Sequence, residues 1–212
     1  MGLATRSEQM PDPGDVLQPG DRAPSITLDA INRGGQIAID DFRGKKPLLI
    51  GLFRGLHCPF CRRHLAAEAE IDKTLREKGV ECVAVVNTPV DRARLYFQYH
   101  PMPDLLAASD PERVSHRAFG LRNLDIAGQL TALQRKVRPV ATAFLNRWDG
   151  YTITEVDQQM AAEGSGQLFG QFLIDRDGII AWSYSEAPNE GRPMLSRPTP
   201  QDLIDAAVRV AA

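Results

Sequence analysis

Cysteine is scarce in this chain, with three in 212 residues. So few thiols cannot build the disulfide framework that staples small secreted domains, which leaves a transient bond as the sensible role for a pair among them. Lysine and arginine form no long run, and 25 of them stand against 27 aspartates and glutamates for a formal charge of −2. A phosphate backbone would find no continuous basic track, so nucleic acid is not an expected partner and small, nearly neutral molecules are. Met1 to Gly20 holds Asp, Glu, Gln, three prolines and three glycines but no apolar core segment. That composition suits neither a signal peptide nor a membrane span, and a cytoplasmic location with no membrane partner is the expectation. No strong linker splits the chain into halves, so we expect one domain over residues 16–212 behind a flexible tail, 1–15.

What is present centres on Cys58-Pro59-Phe60-Cys61, which follows the apolar run Pro47-Leu48-Leu49-Ile50-Gly51-Leu52-Phe53 and precedes a helix-like stretch beginning Arg62-Arg63-His64-Leu65. A C-x-x-C pair at a strand-to-helix junction points to redox chemistry. The first thiol meets the unpaired N–H groups of the first helical turn, whose partial positive charge favours thiolate over thiol. Pro59 suits that turn because its fixed φ is already helical and its missing N–H costs nothing there. The second cysteine, one turn on, is placed to close a disulfide. Two other readings stay open: a pair of core thiols, or a zinc site completed by His57 and His64. Structural zinc usually takes its second ligand pair from a separate knuckle, and His100 and His116 have no cysteine pair beside them. The third thiol, in Val80-Glu81-Cys82-Val83-Ala84-Val85-Val86, reads as a small apolar residue of a buried strand, with resolving thiol as the alternative.

The remainder alternates strand and helix. Ser25-Ile26-Thr27-Leu28 and Gln36-Ile37-Ala38-Ile39 predict a hairpin across Asn32-Arg33-Gly34-Gly35. A short turn at Asp40 to Gly44 then leads to a central strand at Leu48 to Phe53. A helix from about Pro59 to Lys78 with Gly79 as its stop, and a strand at about Val80 to Asn87, are expected next. Thr88-Pro89-Val90-Asp91 is read as the cap of a helix reaching about Tyr99, followed by a short strand near Leu105 to Ala108 and a helix starting at Asp110-Pro111-Glu112. Such βαβαβα alternation buries parallel strands between helices and places sites at the carboxyl ends of strands. About 123–166 is too long for an ordinary connection and reads as an inserted helical segment or lid. A second hairpin turns at Asp177-Gly178, and a terminal helix follows Pro198-Thr199-Pro200-Gln201-Asp202.

Several segments in order carry a resemblance: Leu17-Gln18-Pro19-Gly20-Asp21-Arg22-Ala23-Pro24, Asp41-Phe42-Arg43-Gly44-Lys45 before the central strand, the cysteine at its end, and Phe172-Leu173-Ile174-Asp175-Arg176-Asp177-Gly178. Together, from about Val16 to Val210, they resemble the AhpC/TSA peroxiredoxin family of the thioredoxin-like superfamily. Phe53-Arg54-Gly55 followed by His57-Cys58-Pro59-Phe60-Cys61-Arg62 is similar to its peroxiredoxin-like branch with a thioredoxin-style C-x-x-C. The resemblance implies an α/β thioredoxin-like fold, a central mixed sheet flanked by helices, with an N-terminal hairpin and the helical insertion. It implies a thiol-dependent, antioxidant oxidoreductase without a cofactor or metal. A small peroxide or disulfide would be the substrate, and a thiol of the thioredoxin, glutaredoxin or glutathione type the reductant; a homodimer would fit.

Within the pair, Cys58 at the helix tip is expected to be the more exposed thiolate and Cys61 the resolving thiol. His57 would stabilise the thiolate as a cation or merely cap the loop. Arg54, Arg62 and Arg63 would add positive potential or sit as solvated surface. The family pattern P-x-x-x-(T/S)-x-x-C is not matched in either register, and Gly170-Gln171 stands where the family arginine would precede the Phe172 strand. Slow peroxide reduction is the expectation. The alternative function is a redox-sensing or partner-binding protein in which the same pair records oxidation and the insertion carries the output.

Overall fold

A computed structural model describes residues 15–123, 149–164, 166–186 and 197–211. The expected N-terminal tail lies almost wholly outside these residues, as does most of the expected insertion. Seven strands form one mixed sheet: β1 (Thr27–Ala30), β2 (Gln36–Ala38), β3 (Leu48–Phe53), β4 (Glu81–Val86), β5 (Leu106–Ser109), β6 (Gly170–Ile174) and β7 (Ile180–Ser185), in the order β2-β1-β5-β4-β3-β6-β7. β3, β4 and β5 run parallel, while β6 pairs antiparallel to β3 and β1 antiparallel to β5. The helices are α1 (Pro59–Glu77), α2 (Val90–Tyr99), α3 (Val114–Ala118), α4 (Glu155–Gly164) and α5 (Pro200–Ala211).

The central strand is apolar on both faces, interrupted only at Gly51, because both faces are covered. Leu49, Phe53, Cys82, Ala84 and Val86 pack with Leu65, Leu75 and Leu203 of α1 and α5. Leu48, Ile50, Leu52, Val83 and Val85 pack on the other face with Phe119, Phe172 and Ile180. Successive strand side chains point to opposite faces, so one run of six residues feeds two cores. Gly51 breaks the run for a physical reason: a Cβ there would come 2.8 Å from the carboxylate of Glu68, which is buried under the sheet.

Differences from expectation are local. The expected cap at Thr88 does not form; its Oγ1 accepts a bond from the Leu56 N–H at 3.0 Å, and Pro89 stands at the cap of α2. The helix expected from Asp110 begins only at Val114, because Arg113 is left-handed (φ 56°) and the Asp110 carboxylate accepts from the N–H groups of Val114 and Ser115. The terminal helix starts early, at Pro200, where Thr199 and Asp202 exchange bonds as a capping box. The long excursion leaves and returns through an antiparallel bridge between Asn123 and Gln167.

Candidate active site

The C-x-x-C pair sits where β3 gives way to α1. Cys58 is the N-cap of α1 and Pro59 its first residue, so the Cys58 sulfur lies at the positive end of a 19-residue helix. The approach loop is pinned from two sides. The Leu56 N–H is held by Thr88, and the Leu56 carbonyl accepts from Arg62 Nη1 at 2.7 Å. Arg62, which could have been solvated surface, is instead fully buried; its Nε reaches Asp149 at 2.5 Å and its guanidinium lies 4.2 Å from the Tyr151 ring centroid. Arg63 is exposed.

Cys58 and Cys61 sit 3.2 Å apart and both are free thiols. Cys58 is the more exposed of the two, as expected, but both are buried, with 9 % of its surface accessible against 2 % for Cys61. Its acidity comes from contacts rather than from water. A hydrogen bond from Cys61 holds the Cys58 thiol well below its ordinary range against the opposing effect of burial, with Arg54 and then Arg197 adding to it. Burial pushes Cys61 well above that range, and its bond to Cys58 pushes it further. Burial also lowers the His57 pKa, which disfavours the imidazolium of the two roles open to it.

Two guanidiniums face the sulfurs. Arg54, at the carboxyl end of β3, donates from Nε to the Gln167 carbonyl at 2.6 Å and pairs through Nη2 with Glu186. Its Nη1 then lies 3.9 Å from Cys58 Sγ. Arg197 places Nη2 4.0 Å from Cys61 Sγ and 3.3 Å from Glu186 Oε1, with its guanidinium 4.0 Å above the Phe169 ring. Of the residues expected at the site, Arg54, Cys58 and Cys61 converge, and His57 flanks them. Arg197 and Glu186 were not anticipated, and nothing in their local sequence marks them. Gln171, standing where a family arginine would precede Phe172, points to α1 and donates to Glu68 Oε2 at 2.8 Å.

Cys82 is buried in β4 and donates to Glu68 Oε1 at 3.3 Å; burial, and next the Glu68 charge, raise its pKa well above the ordinary value. It packs as the small apolar residue anticipated. Among the described residues no cluster of three or more His, Cys, Asp or Glu could hold a metal ion.

The profile of the AhpC/TSA family matches residues 19–183. No curated protein sequence matches the chain. Among solved structures, the peroxidoxin BcpB of Mycobacterium tuberculosis is similar with a TM-score of 0.59 at 15% identity, covering 91% of this chain and 97% of that one. A peroxiredoxin-like protein from Aquifex aeolicus gives 0.59 at 14% identity over 93% and 90%. A thioredoxin-family thiol:disulfide interchange protein from Chlorobium tepidum gives 0.51 at 16% over 93% and 99%. At these identities the likeness is one of fold, and the fold is the thioredoxin-like one expected.

Proposed function

The chain belongs to the AhpC/TSA family, and from that premise we propose that it is a thiol-dependent oxidoreductase that reduces a peroxide or a disulfide through Cys58. The observation that carries this reading is the Cys58 sulfur itself. It lies at a helix N-terminus, in contact with Cys61 and 3.9 Å from a buried arginine. With a peroxide ROOH, the thiolate attacks the terminal, hydrogen-bearing oxygen, the O–O bond breaks, and RO⁻ leaves and takes a proton from solvent, giving Cys58 sulfenic acid and ROH. Cys61 sulfur then attacks the Cys58 sulfur, the hydroxyl leaves as water with the Cys61 proton, and a disulfide forms. Thiols of the glutathione, thioredoxin or glutaredoxin type return the pair to its reduced state, as a reducing compartment such as the cytoplasm would supply.

Arg54, one of the arginines expected to add positive potential, would supply a guanidinium for the peroxide oxygens. A Ser or Thr at the family position is still missing, and one lost donor of this sort typically costs about 10²- to 10³-fold in rate. Peroxide turnover should therefore be measurable but slow. Steady-state consumption of hydrogen peroxide with a thiol reductant tests the reading: activity should vanish in Cys58→Ser, and Cys61→Ser should accumulate mixed disulfides at Cys58. Activity that survives Cys58→Ser but not Cys61→Ser would reverse the two roles.

One observation favours the sensing alternative. Arg62, next in sequence to Cys61, is tied to Asp149 and Tyr151, so closure of a disulfide would strain the link to the excursion. A protein that forms the disulfide yet consumes no peroxide or disulfide in turnover would favour that reading.

A further inference from the structure

The two guanidiniums are not equivalent. Arg54 and Arg197 share one carboxylate, Glu186, whose side chain is 2 % exposed, one oxygen serving each arginine. Glu186 is fixed in turn by the Phe169 N–H at 3.2 Å and by its own N–H on the Phe169 carbonyl at 3.0 Å. Held in this way, each arginine addresses a different sulfur, Arg54 that of Cys58 and Arg197 that of Cys61. The same ranking appears in the electrostatics: Arg54 acts on Cys58 more strongly than Arg197 does, and Arg197 acts on Cys61 more strongly than Arg54 does.

Resting on the redox reading above, the geometry points to Arg197 as a catalytic residue of the reductive half-cycle, receiving Cys61 as a leaving thiolate while Arg54 serves Cys58 in the oxidative half. In that half a small-molecule thiolate attacks Sγ of Cys58, the less buried of the two residues. A new S–S bond forms to Cys58, the Cys58–Cys61 bond breaks, and its electron pair goes to Cys61 Sγ. The departing charge appears 4.0 Å from Arg197 Nη2. A second thiolate then attacks the small-molecule sulfur of the mixed disulfide and releases Cys58 as thiolate. Cys61 takes up one proton. Two small thiols are oxidised to one small disulfide and one protein disulfide is reduced.

A leaving thiolate departs faster the lower its pKa, and Cys61 is otherwise disfavoured as an anion by burial. Among the described residues, the other ionisable groups beside the pair include His57, His64 one turn beyond Cys61, and Glu186. Burial lowers both imidazole pKa values, that of His64 to about 4, so burial disfavours the cation at each. Among the described residues Arg197 is thus the cation that acts most strongly on the Cys61 sulfur, and Glu186 is a positioning residue that keeps the arginines apart.

The two half-reactions can be timed separately. Reduced protein is oxidised with hydrogen peroxide in stopped flow; oxidised, desalted protein is reduced with 2-mercaptoethanol, and returning thiols are counted by quenched alkylation. Arg197→Met should slow reduction about tenfold or more and leave oxidation within about twofold. Arg54→Met should slow oxidation about tenfold or more, and Arg197→Lys should recover part of the reduction rate. Arg197→Gln, which keeps a donor toward Glu186, gives the same reading if the methionine variant does not fold. Equal slowing of both halves, or no slowing of reduction in either neutral variant, overturns the assignment while leaving the oxidoreductase reading intact. Failure of the unaltered protein to form a Cys58–Cys61 disulfide overturns both.

Discussion

Two cysteines on adjacent turns share one side-chain chemistry and acquire opposite acidities because one accepts a hydrogen bond that the other donates. Cys58 collects that bond, the helix terminus and Arg54, whereas Cys61 carries the donor role and deeper burial. Alkylation rate against pH should therefore report a Cys58 midpoint clearly below the free-thiol value of about 8.5, with Cys61 and Cys82 slow to react. Arg54→Met should raise the midpoint by about one unit, equivalent to about 1.4 kcal/mol of lost thiolate stabilisation. His57→Ala should leave it in place, because burial disfavours the imidazolium. A midpoint that rises in His57→Ala but not in Arg54→Met would assign the stabilisation to the wrong neighbour.

At the scale of elements, α1 is the unusual one, because its buried face carries Arg62, Glu68 and Asp72 as well as Leu65 and Leu75. Burial raises the Glu68 pKa to about 7, Gln171 and Cys82 donating to its oxygens and Gly51 leaving it room. The unfolded chain releases this proton near the ordinary carboxylate value, so between about pH 4.5 and 7 the folded protein holds more protons and stability falls as pH rises. Glu68→Gln mimics the protonated form. Denaturation at pH 5 and pH 8 should show the variant gaining on the unaltered protein at the higher pH, by no more than about 3 kcal/mol. A gap that stays constant or closes with rising pH would show that Glu68 is not a raised carboxyl. Asp149→Ala removes the carboxylate that Arg62 Nε meets on the buried face of α1 and should cost about 3 kcal/mol in denaturation. A loss under about 0.5 kcal/mol would place that pair among those that contribute little.

Taken as a whole molecule, the chain shows in its sequence whatever depends on neighbours along the chain. The apolar run of β3, Pro59 at the first turn of α1, Gly79 (φ 80°) as its stop and the Asp-Gly turn before β7 each carry a local signal, and each element appears close to its expected bounds. Boundaries failed where one side chain took another partner, as Thr88 did with Leu56. The site was only half legible for the same reason. Cys58, Cys61 and Arg54 lie within one loop, but Glu186 meets Arg54 from 132 residues away and Arg197 meets Cys61 from 136. No spacing rule connects positions that only the sheet brings together. The central claim is that Cys58 and Cys61 form one dithiol–disulfide centre, and peptide mapping by mass spectrometry after mild hydrogen peroxide treatment tests it most directly. The account predicts that the peptide holding both residues loses two hydrogens while Cys82 stays a thiol. A disulfide that includes Cys82, or one that only joins two chains, would contradict it.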